Sequence, residues 1–490
     1  MAGSGTAATL APEARAAVRN ASALVGQRGL DVVRALIFAA LVPRLLGPED
    51  FGRFALLAAT AQWFAVLSGL GSAQLLARFV PVMTLRDEGA RARQLFGNVV
   101  ALRVVTGAAS AALYLLVGLL WLRDLPLALL VPVAATVLLG SVARVPFAFF
   151  LGLNQAARWG AGELARRWSS LALVLLGTWW LGVRGACLGL ALAEVGVLVL
   201  GFRWARPELS MADVRLDREF FAPYLRYSAV FFGSNLLFAL LERGGEAVVR
   251  AARAGYAEVG YFGVAAAAWA MAAHGLWVLM LAFLPLLTRL RAQDGVREAS
   301  RWAGRLLKVL SAAFVVLGLA VSLLAADLVP RLIGPAFRPA VPLLLPVSLA
   351  LIAHCAGGVG RLMALVLDRP RLALLAAAAA AGTLVGLGLP LGARLGALGV
   401  GWAIAAAATL HAAILLAAVQ RAAPVPLAPW LGVVALGAVF ALGTWIPLEG
   451  LAARAALFGA LAAGYAAALH LSRLVSVAEL SALRRVLAPR

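Results

Sequence analysis

From Pro126 to Gly152 the chain reads PLALLVPVAATVLLGSVARVPFAFFLG, with Arg144 as its only charged residue. Runs of this kind decide what the chain can fold into. A hydrocarbon layer is about 30 Å thick, and a helix needs roughly 20 apolar residues to cross it. Inside that layer no water satisfies the backbone, so only α-helices and closed β-barrels are stable there. The run lacks the in–out alternation of a barrel strand, which leaves the helix. Similar runs recur, and fourteen spans are expected, near 23–46, 53–78, 95–121, 126–152, 163–182, 185–205, 223–249, 259–287, 304–326, 340–366, 371–390, 395–420, 429–447 and 452–472.

Composition agrees, with 63% hydrophobic residues, 13% charged and a mean hydropathy of +0.94, against about 25% charged residues in a soluble protein. The net charge of +21 is scattered over many loops, a distribution that suits membrane topology and not a nucleic-acid surface. The Arg-rich gaps follow the even-numbered spans, which puts both termini in the cytoplasm. The opening 22 residues are polar and read as disordered or a surface helix and not as a signal peptide, because the apolar run behind them is long and holds Arg28, Asp31 and Arg34. Cys187 and Cys355 lie in apolar runs, so a disulfide is not expected, and neither is a metal site. No glycine-rich nucleotide loop followed by lysine occurs; neither ATP nor any other cofactor is implied. The tail carries Ser476 and Glu479 at capping-box spacing ahead of Leu480, Leu483 and Leu487, which predicts an amphipathic helix on the inner leaflet or a solvated basic tail.

An internal repeat organises the chain. GPEDFGRF (Gly47–Phe54) and GYAEVGYF (Gly255–Phe262) share one pattern 208 positions apart. LGVRGACLG (Leu181–Gly189) and LGARLGALG (Leu391–Gly399) match through their Gly-Ala pairs at 211. The plain reading of these glycines is a tight turn needing positive φ. Six spans restore the starting side, so the repeat is parallel. The expected organisation is a cytoplasmic segment 1–22, an N-lobe 23–205, a cytoplasmic linker 206–222, a C-lobe 223–420, two further spans within 421–472 and a cytoplasmic amphipathic tail 473–490. The fold class is all-α polytopic, two pseudo-symmetric six-helix bundles and two C-terminal helices. Paired bundles of this sort suit alternating access.

Charges inside the spans carry the functional signal. Asp, Lys or Arg at a bilayer centre costs about 2.5–3.5 kcal/mol, so such residues face protein, water or ligand. Span 1 holds Arg28, Asp31 and Arg34; span 7 holds Glu242, Arg243, Glu246 and Arg250. The 208-residue shift sets Arg34 opposite Glu242. Two readings stay open. Arg28 and Arg250 can snorkel to the interfaces and Asp31 can neutralise an adjacent arginine, or the clusters line a polar cavity, which is the preferred reading. Arg103, Arg144, Glu194 and Arg361 are further candidates for such a cavity; Glu194 reads first as a hydrogen-bonded structural acid, with binding of a coupling cation or proton as the alternative. His274, His354, His411, Asn235 and Gln62 read as interhelical polar groups, and Trp179–Trp180 as interface aromatics.

Four stretches resemble one known family: RLLGPEDFGRFALL, SGLGSAQLLARFVP, the seventh-span RYS…ER…AEVGYF, and IGPAF…GRLMALVLDRPRLALL. They are similar to the polysaccharide-transporter (Wzx-type) flippases of the multidrug/oligosaccharidyl-lipid/polysaccharide (MOP) exporter superfamily, over roughly residues 23–420. The resemblance implies a MATE-like fold. It implies translocation of undecaprenyl-diphosphate-linked oligosaccharide across the bacterial inner membrane, without enzymatic chemistry. It also implies that Arg28, Arg34, Arg243 and Arg250 hold the diphosphate. The motif usual around the second span in the lipid II flippase branch is not evident, and Glu242 and Glu246 set negative charge beside Arg243. Expected partners are the lipid-linked glycan and membrane lipids, with a polysaccharide polymerase and glycosyltransferases as candidates and no nucleic acid. Two rivals are a cation-coupled multidrug exporter of the same superfamily, which would favour acidic and aromatic groups, and a membrane-embedded glycosyltransferase or polymerase, which would need a sizeable exterior loop.

Overall fold

The computed structural model describes the backbone of residues 5–206, 214–252, 254–293 and 295–476, with 478, 479 and 481, and their side chains from Leu30 onward apart from a few short stretches. Its elements are helices: α1 (Gly5–Gly69), α2 (Ser72–Leu85), α3 (Gly89–Trp121), α4 (Leu127–Gly152), α5 (Ala156–Ala205), α6 (Arg218–Arg243), α7 (Gly245–Ala251), α8 (Tyr256–Gln293), α9 (Val296–Leu332), α10 (Leu344–Val366), α11 (Pro370–Leu395), α12 (Ala397–Gln420), α13 (Ala428–Leu442) and α14 (Leu451–Leu471), with 3-10 turns at Pro335–Leu343 and Gly443–Trp445. Among the described residues nine helices are long and apolar enough to cross a membrane, as a multi-pass membrane protein requires. One of the nine is α5, where the sequence places two spans; Gly182 interrupts it with φ 58° and ψ −138°. Gly47 interrupts α1 in the same way, with φ 74° and ψ 171°. Only glycine enters these regions without a steric penalty, which is why each break falls where it does.

Span 7 is divided too. The Gly244–Gly245 pair weakens the helix between α6 and α7, and the ladder lapses although Gly244 keeps near-helical angles (φ −84°, ψ −21°). Glu242 and Glu246 therefore sit on two helices and not on one continuous face.

The chain divides into two compact units: residues 1–46 and 57–239 (with 489–490) form the first, 47–56 and 240–488 the second. The first has a core of Leu75, Leu76, Phe96, Phe147, Phe149 and Phe150, with Phe96 stacked on Phe149 at 4.3 Å. The start of α6 belongs to this core. Phe221 is buried in it, Tyr224 meets Phe79 edge-on at 4.8 Å, and the Asp217 N–H donates to Asn98 Oδ1 at 2.6 Å. These contacts move the border between the units into α6, between Ala239 and Leu240; residues 207–213 of the expected linker lie outside the described residues.

The second unit is centred on Met280, Phe283, Leu307, Val359, Met363 and Leu416. α13 and α14 add a small satellite core in which Tyr465 donates to the Val433 carbonyl at 3.0 Å. Ser476 and Glu479 pair as their spacing predicts. Ser476 N–H donates to Glu479 and Glu479 N–H to Ser476 Oγ, both at 3.2 Å, which completes a capping box. Lys308 of α9, buried, donates to the Leu474 carbonyl at 2.7 Å and to Glu479 at 3.0 Å. Residues 482–490 lie outside the described residues.

Both sequence echoes have structural meaning, and each needs a correction. Within the second unit, GPEDFGRF lies against GYAEVGYF. A Cβ on Gly52 would strike the Tyr256 carbonyl, and one on Gly260 the Pro48 carbonyl. Pro48 corresponds to Tyr256, and Gly52 to Gly260, under the 208-residue shift, so the contact is reciprocal, as about a two-fold axis. Only Gly47 has the positive φ expected of a turn; Gly52 and Gly260 sit in helices and serve close backbone approach. In the second echo, Gly182 and Gly396 share one conformation (φ 58° and 60°), and Gly185 and Gly399, three residues on, pack on the carbonyls of Gly177 and Leu391. Equivalent positions are thus Gly182 with Gly396, a spacing of 214, where the Gly-Ala pairs had suggested 211. Identical letters aligned; the backbone that uses them does not.

Candidate functional site

In the first unit, α1, α4 and α5 assemble charge. Glu163, Arg166 and Arg167 stand at i, i+3 and i+4 of α5 and so share a face. Arg166 Nη2 donates to Glu163 Oε2 at 2.9 Å, and Arg167 Nε lies 3.7 Å from the same oxygen. Arg167 Nη1 also reaches α1, donating to Asp31 Oδ2 at 2.6 Å. Asp31 is therefore paired across helices, with a residue 136 positions away and not with an adjacent arginine. Arg34, one turn further along α1, is half-buried in the field of Arg167, Asp31 and Arg166. Its Nε has no hydrogen-bond partner, and neither has Arg166 Nε. Arg144, on α4, is accessible and feels Arg166, Glu194, Glu163 and Arg167. Glu194 is buried against Gly140, where a Cβ would sit 3.1 Å from the carboxyl carbon, so the glycine makes room for the acid. Among the described residues, four guanidinium groups thus face three carboxylates on α1, α4 and α5. The imbalance favours an anion.

Arg103 stands apart from this group in its contacts. It is buried on α3, and its Nε donates to Ser72 Oγ at 2.7 Å while its guanidinium lies over Gly69. It thereby clamps the break between α1 and α2, where Leu70 and Gly71 take positive φ.

The second unit holds a different set. Glu242 at the end of α6 feels Arg243 and Arg361, the latter from α10. Glu246, in the first turn of α7, is buried with Oε2 unpartnered, and Arg243 is the cation acting on it. His354 of α10 meets Trp269 edge-on at 5.0 Å, and His411 of α12 fills the space over Gly357. Arg361 acts on both histidines. Two carboxylates and two guanidinium groups balance here, which distinguishes this set from that of the first unit. Arg250 lies elsewhere: its guanidinium stacks on Tyr256 at 4.5 Å and donates to the Ala254 carbonyl at 3.3 Å. Arg53 approaches the same ring at 5.4 Å. The side chains of Arg28 and His274 lie outside the described residues. Trp179 and Trp180, at the end of the first half of α5, are exposed as interface aromatics would be.

The model of one family, described as polysaccharide biosynthesis protein, matches residues 17–291, more than half of the chain. The chain belongs to this family. The matched stretch takes in all the charges of the first unit described above and Glu242 to Arg250 of the second, while His354, Arg361 and His411 lie beyond it. No curated protein sequence matches the chain. Among solved structures, it is similar to lipid II flippase MurJ in an inward closed conformation, 12% identical over 94% of this chain and 100% of that one, with a TM-score of 0.68. It is similar also to a multidrug resistance MATE family transporter in an inward-facing conformation, 15% identical over 79% of this chain and 94% of that one, TM-score 0.60. A MOP superfamily transporter from Pyrococcus furiosus, described as having a binding pocket of reverse polarity, is 16% identical over 84% and 95%, TM-score 0.52. At such identities the likeness concerns fold: the chain has the helical fold of MOP superfamily transporters.

Glu163, Arg166 and Arg167 are the residues that sequence reasoning missed. They stand at the very start of the expected span 163–182, but α5 begins at Ala156, which sets Glu163 about two turns inside the helix. The signal was available in the Glu-x-x-Arg-Arg spacing, which builds ion pairs only on a helix.

Proposed function

We propose that the chain is a flippase that moves undecaprenyl-diphosphate-linked oligosaccharide across the bacterial inner membrane, by alternating access and without covalent chemistry, for surface polysaccharide biosynthesis. Both termini are cytoplasmic in this reading, and a polymerase and glycosyltransferases are the partners that would use the product. The observation that carries the reading is the first unit's excess of guanidinium charge, with the Arg34 Nε donor left over. Arginine stays ionised, and its fork matches phosphate oxygens bidentately, so a diphosphate is the anion such a group would grip best. Membership of the polysaccharide biosynthesis family supports a glycan cargo. The similar solved structure described as a lipid II flippase supports a flippase reading for a chain of this fold.

The test is export of surface glycan in cells that depend on this protein. Arg34→Ala and Arg243→Ala are expected each to reduce export at least about tenfold, the loss of roughly one charge-assisted hydrogen bond, with membrane insertion unchanged. Normal glycan in both variants would overturn the reading. Purified protein given labelled lipid-linked sugar should return it at the same mass; a changed mass would indicate a transferase.

One observation favours a second reading, cation-coupled export: the buried Glu246 with its unpartnered Oε2 beside Arg243. If Glu246 binds the driving cation, Glu246→Gln should make transport insensitive to the ion gradient while substrate binding persists. Unchanged gradient dependence would remove Glu246 from that role.

A further inference from the structure

At one end of the second unit a cavity of about 550 Å³ opens between the first turns of α9 and the connection from α12 to α13. Its charged wall is Arg297 and Arg301, one turn apart on α9, and no acidic residue lines it. The facing wall is the loop Pro424 to Pro429, which is built to keep its shape. Gln420 clamps Val425, donating through Nε2 to its carbonyl and accepting at Oε1 from its N–H, both at 2.9 Å. Pro424, Pro426 and Pro429 each fix a φ angle, and Pro426 packs on Gly304, where a Cβ would meet its ring at 2.6 Å. The loop wall is in place before anything binds, and a preorganised wall loses little entropy on binding.

The level of the cavity is marked by its neighbours. α9 and α13 begin here and α12 ends here, so it lies where spans meet water. Trp302 follows Arg301, with Arg305 stacked over its ring at 5.1 Å. Trp430, just past the loop, donates Nε1 to Ser311 at 3.0 Å. Indoles gather at the headgroup layer. Arg297, Arg301 and Arg305 recur every fourth residue as a cationic stripe, and the Arg301–Glu298 contact at 3.1 Å is an exposed pair that competes weakly for a ligand.

We propose that this cavity binds the phosphodiester headgroup of an anionic phospholipid, with Arg297 and Arg301 as its cationic ligands. The pairing of a basic wall with an apolar one, Leu427 among Pro424, Pro426 and Pro429, fits a headgroup whose glycerol and first methylenes must also be covered; a soluble anion has no use for that wall. The inference needs only that the chain is a membrane protein and is independent of the cargo.

The test uses full-length protein in detergent, given equal amounts of phosphatidylglycerol and phosphatidylcholine and examined by native mass spectrometry. Wild type and the control R123Q, an exposed arginine elsewhere, should retain phosphatidylglycerol about thirtyfold in preference, as two basic residues at a headgroup would give. The R297Q/R301Q double variant should lose the preference. Each arginine is exposed, so the single variants serve should the double one not be monodisperse. Equal retention of both lipids by wild type, or an undiminished preference in the variants, would overturn the proposal. So would displacement of the retained lipid by inorganic phosphate, which would assign the cavity to a soluble anion.

Discussion

The contact of Asp31 with Arg167 joins α1 to α5 at 2.6 Å, and the Asp31 side chain is only 10% exposed. Removing one member of such a pair strands the other, which costs about 3–5 kcal/mol, whereas removing both costs less. Asp31→Ala and Arg167→Ala should each lower the unfolding midpoint in detergent, and the double variant should fall less than the two shifts added together. Additive shifts would mean that the pair contributes nothing as a pair. This partnership was beyond reach of the sequence, since the two residues are 136 positions apart and each has nearer charges with which to pair on paper. The Ser476–Glu479 capping box was legible because both of its hydrogen bonds are made across three residues. Local chemistry can be read from spacing; partnerships that need the fold cannot.

At the scale of elements, α1 and α8 touch through glycines whose missing side chains are the contact. A methyl at Gly52 or Gly260 collides with backbone and not with a side chain that can turn away. Gly52→Ala and Gly260→Ala should each destabilise by about 1–3 kcal/mol, as overpacking does. Because one separation of the helices relieves both clashes, the double variant should cost little more than the worse single one, a result that thermal unfolding in detergent would show. Doubling of the cost would mean that the two sites do not share one contact. Apolar length made the membrane-spanning character legible, and among the described residues nine helices are long and apolar enough to cross. Gly47 and Gly182 looked like the ends of spans, and the backbone leaves helical geometry at each. The Gly244–Gly245 lapse was less legible, hidden in a stretch that reads as one helix. Glycine announces freedom without saying how it will be used.

For the molecule as a whole, the repeat led to an expectation of two halves, and pseudo-symmetry directed attention to the opening helix of each. What it did not foretell was the asymmetry of the charge: an excess of arginine on α1, α4 and α5, against a balanced set with two histidines on α6, α7, α10 and α12. Nor did it place the border between the units within α6, which follows from Asp217 and Phe221 finding partners in the first unit's core. One consequence remains from the tail. Lys308 is the sole lysine of the chain, buried with its ammonium on Glu479 and Leu474. Apart from the α-amino group, an amine-selective reagent therefore has one target, and acylation there requires that the segment carrying Leu474 and Glu479 first let go. The chain carries its own reporter for that release, readable by mass without any added label.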